Sequence, residues 1–102
     1  AFIAQAKARY DELLAKYPLA IADHGAEFFM GPGDDAERAL QLATSNLENR
    51  RNDRAYSIAI EAALNAGRSQ LACELATEAG PDRPNVGLTD LVAEVLASCE
   101  GS

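Results

Sequence analysis

The sequence predicts an all-α protein, and three observations carry the prediction. Alanine is conspicuous and β-branched residues are few, a balance that favours helix over sheet. Apolar residues recur at helical spacing in one segment after another, and no strand pattern interrupts them. The amphipathic segments are separated by glycine, proline and polar capping residues. At 102 residues the simplest organisation is one domain over 1–102, built of about six helices with short turns.

The first segment, Phe2 to Lys16, places Ala6, Tyr10, Leu13, Leu14 and Tyr17 on one helical face, and Pro18 stops it. A second helix is expected from about Leu19 to Met30, with Ile21, Gly25, Phe28 and Phe29 on one side. Gly31, Pro32 and Gly33 break it. The third helix starts near Asp34, whose carboxylate can cap free backbone amides, while Asp35 and Glu37 suit the positive end of the helix dipole. It continues through Leu40, Ala43 and Leu47 to about Asn49. Asn52 or Asp53 caps a fourth helix, from roughly Arg54 to Ala66, which Gly67 ends. Ser69 opens a fifth, running to about Ala79. Gly80 to Gly87 reads as a loop, and Thr89 as the cap of a last helix from Asp90 to Ser98.

The segments are related to one another. A step of 33 residues from Ala6 reaches Ala39 and then Ala72, and from Tyr10 it reaches Ala43 and Ala76. The same step takes Leu14 to Leu47 and Gly80, and Pro18 to Arg51 and Pro84, while Gly33 and Gly67 are 34 apart. Each set is a helical stripe followed by a break. In this the chain resembles the tetratricopeptide repeat family, helix–turn–helix units of about 34 residues. "AKARYDELLAKYP", Ala6 to Pro18, is similar to the family's second helix, Ala-x3-aromatic-x2-Ala-Leu-x3-Pro, with Leu13 in place of the second alanine. Ala39 to Arg51 and Ala72 to Pro84 keep parts of it. "GAEF", Gly25 to Phe28, is similar to the first-helix signature, and Tyr56 to Gly67 is a degenerate copy with Ile60 and Ala63 at those positions.

The resemblance covers about Ala6 to Pro84 and implies a right-handed α-solenoid of such hairpins. Its parts are a leading helix over 1–17, repeats over 19–50 and 53–84, and a capping helix over 88–99 carrying Leu91, Val92, Val95 and Leu96. Small residues at Gly25, Ala39 and Ala72 allow paired helices to approach closely. The family resemblance further implies a non-catalytic scaffold whose first helices line a concave groove for a peptide or helix of a partner protein. Helical spacing puts Arg54, Ser57, Glu61 and Asn65 on the exposed face of the fourth helix, and Ala22, Ala26 and Phe29 are the corresponding positions on the second. The lysines and asparagines of the family's two-carboxylate clamp have no matching set here.

Charge and motif content narrow the alternatives. A net charge of −7 argues against nucleic acid and against adsorption to anionic lipid. No apolar run approaches the ~20 residues of a membrane span. Gly31-Pro32-Gly33 precedes a helix as a phosphate cradle does, yet no lysine or Ser/Thr accompanies it, and Asp34 and Asp35 put negative charge where the phosphate would sit. The stretch therefore reads as a hairpin turn. His24 and Glu27, three apart with Asp23 beside them, form a conceivable metal pair with too few ligands for zinc, so His24 reads as a surface or packing residue, and no metal or cofactor is expected.

With one histidine, base–nucleophile catalysis has almost no material. Arg50, Arg51 and Arg54 read as a solvated helix end, with a weaker reading as an anchor for an acidic peptide. Cys73 and Cys99 are expected to be free, semi-buried thiols, and cytoplasm is the default compartment. Without an initiator methionine, the chain reads as a processed or excised piece of something longer. Two further readings stand beside the scaffold: a homodimer formed through apolar end faces, and a docking or regulatory segment of a larger enzyme.

Overall fold

The computed structural model describes residues 2–80 and 85–100; residue 1, residues 81–84 of the predicted loop, and the last two residues lie outside it. The described residues form six α-helices and no strand: α1 Phe2–Lys16, α2 Ala22–Met30, α3 Ala36–Asn49, α4 Asp53–Asn65, α5 Ser69–Ala79 and α6 Val86–Glu100. Each helix packs on the next along the chain. In addition α4 touches both α2 and α6, so it is the central element of an elongated body measuring 42 × 24 × 19 Å.

The core is built from small side chains. Ala22, Ala26, Ala39, Ala43, Ala59, Ala62, Ala63, Ala72 and Ala76 are fully enclosed. Both expected second-helix pairs, Ala39 with Ala43 and Ala72 with Ala76, are among them. Alanine at these positions brings helix backbones close enough for dense van der Waals contact, which replaces the large apolar areas that leucine would bury. The large side chains fully buried are Phe29, Ile60, Leu88 and Val92. α4 is enclosed on most of its circumference, through Ala55, Tyr56, Ile58, Ala59, Ile60, Ala62 and Ala63. At the other extreme α1 contributes no buried residue and is attached mainly through aromatic contact. Tyr10 stacks on Phe28 with centroids 4.7 Å apart, and Phe28 meets Phe29 edge-on at 5.0 Å.

Several boundaries differ from the sequence reading. α2 begins at Ala22 rather than Leu19, because Leu19 remains exposed without packing that would extend the helix. The cap of α3 is Asp35, which accepts from the Arg38 amide, and Asp34 instead takes a positive φ of 46°. The cause is Gly33: a side chain there would stand 2.7 Å from the Phe28 ring and 2.8 Å from Phe29, so the turn runs tight against the aromatic pair and delays the helix by one residue. α4 begins as expected, the Asn52 side chain accepting from the Ala55 amide at 2.8 Å. Its end is a Schellman turn: the Arg68 amide donates to the Ala63 carbonyl, the Gly67 amide to Leu64, and Gly67 has φ 73°.

The loop before α6 is shorter than expected, and Thr89 is not its cap. Asn85 caps instead, its side chain accepting from the Leu88 amide at 2.9 Å while its own amide donates to Asp53. Anchorage to the start of α4 thus starts the helix at Val86 and places Gly87 inside it. The cysteines are also corrected. Cys73 and Cys99 form a disulfide, with Cα atoms 6.1 Å apart, because α5 and α6 pack with these two positions facing each other.

Two stability predictions follow from this packing. Gly33→Ala is expected to cost about 1–3 kcal/mol through overpacking against Phe28 and Phe29, measured by urea denaturation; an unchanged midpoint would show that the aromatic pair moves freely. Replacing Cys73 and Cys99 together by alanine is expected to cost about 2–4 kcal/mol, since the bond closes a 26-residue loop. Adding reductant to the unaltered chain should lower the thermal midpoint in the same sense.

Candidate partner-binding surface

Because α4 is packed on most sides, only a narrow stripe of it reaches solvent. Arg54, Glu61 and Asn65 are exposed there, Ser57 is half-buried beside them, and Leu64 adds an apolar edge. These are the α4 positions the helical spacing selects. The α2 positions are corrected: Ala22, Ala26 and Phe29 are buried and present nothing to a partner. They form, with Gly25, the inward stripe of α2, and a helix two turns long cannot show the same stripe to solvent. The side chains on the open side of α2 are His24 and Glu27, with Asp23 half-buried. Phe29 is further covered by the Arg38 guanidinium, 4.4 Å from its ring centre.

Arg54 joins the two helices. Its Nη2 donates to Glu27 at 2.8 Å and its Nε to Asp23 at 3.3 Å. Partial burial on its own raises the Asp23 pKa, but the His24 amide and the Arg54 guanidinium outweigh it and hold the carboxyl below its ordinary 3.8. Arg54 is raised in turn, chiefly by Asp23. Arg51 is raised by Tyr56 and by Glu78 of α5, with which it forms an ion pair. Arg68 similarly pairs with Glu37 of α3 at 2.6 Å, and Arg38 with Asp11 of α1. Arg51 and Arg54 are thus taken up in links between helices, which leaves them little capacity to anchor an acidic peptide. With Arg54 neutralised by two carboxylates, the stripe as a whole is acidic.

The glycine turn has no amides to offer an anion. The Gly31 and Gly33 amides donate to the Phe28 carbonyl, Asp34 donates to Gly31, and Asp35 to Phe29. His24 lies 3.9 Å from Glu27 and 4.0 Å from Asp23, both already engaged by Arg54, and no three potential ligands gather into a metal site among the described residues.

A second feature was not anticipated from the sequence. Leu64, Ser69, Cys73, Leu91, Glu94, Val95, Ser98 and Cys99 line an open groove of about 490 Å3 between the ends of α4 and α5 and the length of α6. The disulfide forms part of its wall. A signal for it exists in the recurrence of Asn52 and Asn85 as helix caps, 33 residues apart, which sets α4 and α6 in equivalent register. No helix is long and apolar enough to cross a membrane among the described residues. Comparison with protein-family models, with curated proteins and with solved structures finds no match.

Since Asp23 titrates below 3.8 in the folded chain, the Arg54 link contributes fully above that pH and fades as the pH falls through the lower folded value. Arg54→Met is therefore expected to cost less than about 1 kcal/mol at neutral pH, as exposed ion pairs do. In urea melts the difference from the unaltered chain should close as the pH is taken down through this range. A difference that persists there would assign the effect of Arg54 to its aliphatic stem.

Proposed function

We propose that this chain is a non-catalytic interaction module, a tetratricopeptide-like right-handed solenoid that binds a basic segment of a partner protein against the open faces of α2 and α4. The observation that carries the reading is the pattern of helix contacts. α2 touches α4 and α4 touches α6, whereas α3 and α5 do not touch among the described residues. An array whose alternate helices converge on one side and diverge on the other curves toward the converging side, and stacked helical hairpins use such a concave surface to hold extended or helical ligands. The recurrence of Ala39 and Ala72 as enclosed contacts supports the same view.

The chemistry of the surface selects the partner. Glu61 is exposed along it beside the Glu27–Arg54 pair, Asn65 and Ser57 offer hydrogen bonds, and Leu64 supplies an apolar contact. Such a set favours lysine- or arginine-rich peptides with an intervening apolar residue, through steering charge and a desolvated anchor. The Cys73–Cys99 bond favours an oxidising compartment over the cytoplasm expected from the sequence, because reducing compartments keep such pairs as thiols.

Selection from a random peptide library, with the bound surface mapped by chemical-shift changes, tests the proposal. Binders enriched in lysine and arginine, shifting Ser57, Glu61 and Asn65, are expected. Glu61→Lys should weaken them by roughly tenfold, the effect of reversing one interfacial charge. Acidic binders, or shifts confined to the outer faces of α3 and α5, would refute it.

A further inference from the structure

We infer that His24 makes the α2–α4 surface sensitive to mild acid, loosening its hold on a basic partner segment when the imidazole takes up a proton. This regulation rests on the binding reading above and acts on the same surface.

The chain contains one histidine, and the fold places it on this surface. His24 is exposed on the open side of α2. Its ring nitrogens lie 3.9 Å from Glu27 and 4.0 Å from Asp23, the two carboxylates that also hold Arg54 of α4. Along the stripe three carboxylates, of Asp23, Glu27 and Glu61, thus stand against one guanidinium. A proton on His24 cancels one of the two negative charges left over. Negative charge is what steers a lysine- or arginine-rich segment to the surface, so its partial loss slows encounter and weakens the complex.

The groups around His24 leave that proton its effect. Imidazole is the side chain whose charge ordinarily changes between about pH 5 and 8, where the lysines and arginines of a partner keep theirs. From α4 the guanidinium of Arg54 meets both carboxylates and stays charged, while Asp53 beside it accepts from the Asn85 amide. On the other helices packed against α2, Arg38 of α3 pairs with Asp11 of α1, Glu37 with Arg68, and Arg9 with Glu12, while Lys7, Lys16 and Glu48 form no ion pair with His24. Burial alone raises the Asp23 carboxyl, but the His24 amide and Arg54 hold it below its ordinary 3.8, so it remains a carboxylate in mild acid.

The test titrates the 102-residue chain into the fluorescent basic peptide Lys-Lys-Leu-Lys-Lys-Leu-Lys-Lys at constant ionic strength, at about pH 7.5 and about pH 5.5. Acidification should raise the dissociation constant roughly threefold. That is the square root of the tenfold expected for Glu61→Lys, because protonation changes the charge by one where the reversal changes it by two. His24→Gln should abolish the change, and His24→Lys should keep the chain in its weaker state at both values. By linkage, bound peptide should move the titration of the His24 ring, followed by NMR, to lower pH. A peptide that fails to bind at the higher pH would refute the binding reading and the regulation with it. Binding that is equal at the two values, or that weakens as much in His24→Gln, would overturn the regulation alone and leave the binding surface standing.

Discussion

The close approach of helix backbones is the constraint on which the rest of this structure depends. Where most small domains fill their interior with leucine and isoleucine, this chain encloses a run of alanines from α2 through α5. An alanine methyl removes little apolar area from water, so each contact is weak, and cohesion comes from the number of atoms brought within van der Waals distance. Such a seam has little tolerance for added volume. Gly25 shows the limit: a single methyl would already crowd Leu42 at 3.1 Å.

A core of this kind needs its edges held by other means, and the edges differ. At the first hairpin, Tyr10, Phe28 and Phe29 form an aromatic cluster that ties down α1 and fixes the course of the glycine turn. At the other end the Cys73–Cys99 bond clamps α6 to α5, and Asn85 is held by the Asp53 carboxylate at the start of α4. Between them the ion pairs of Arg38, Arg51, Arg54 and Arg68 run across helices rather than along them. Individually these surface pairs contribute little. Their larger effect is to hold these four arginines inside the framework, leaving the open faces of α2, α4, α5 and α6 acidic. The charge that defines what the surface can attract is thus partly a consequence of how the helices are joined.

The sequence shows the local order well and the lateral order poorly. The six helices, the bounds of α1 and α5, the end of α3, and the enclosed alanines at 39, 43, 72 and 76 are legible because they express helical period and recurrence within a short window. The displaced caps were not. Asp34 is a good capping residue, and it lost that role to Asp35 because two aromatic rings, several residues back, force the turn against Gly33. Thr89 lost it to Asn85 because a carboxylate 32 residues earlier pins the chain there. The disulfide was missed for the same reason: whether two thiols meet depends on the rotation of α6 against α5, which no local pattern records. On α4 the exposed stripe could be read because most of the helix is apolar, leaving one polar line. On α2, nine residues with apolar side chains on more than one side leave the register open, so helical spacing alone does not separate the inward stripe from the outward one.

Recurrence in sequence and recurrence in environment are separate properties, and their difference is where function can reside. Gly25, Ile58 and Leu91 occupy one register, yet the first two are enclosed and the third borders open space. Ala6 and Leu13 stand in the same relation to their buried counterparts in α3 and α5. A repeated position asks for the same neighbour each time, because side-chain size and polarity have been matched to being covered. Where the neighbour is missing from the fold, the position keeps the chemistry of a buried contact while sitting at a surface. Such a position keeps apolar area that its siblings have removed from water.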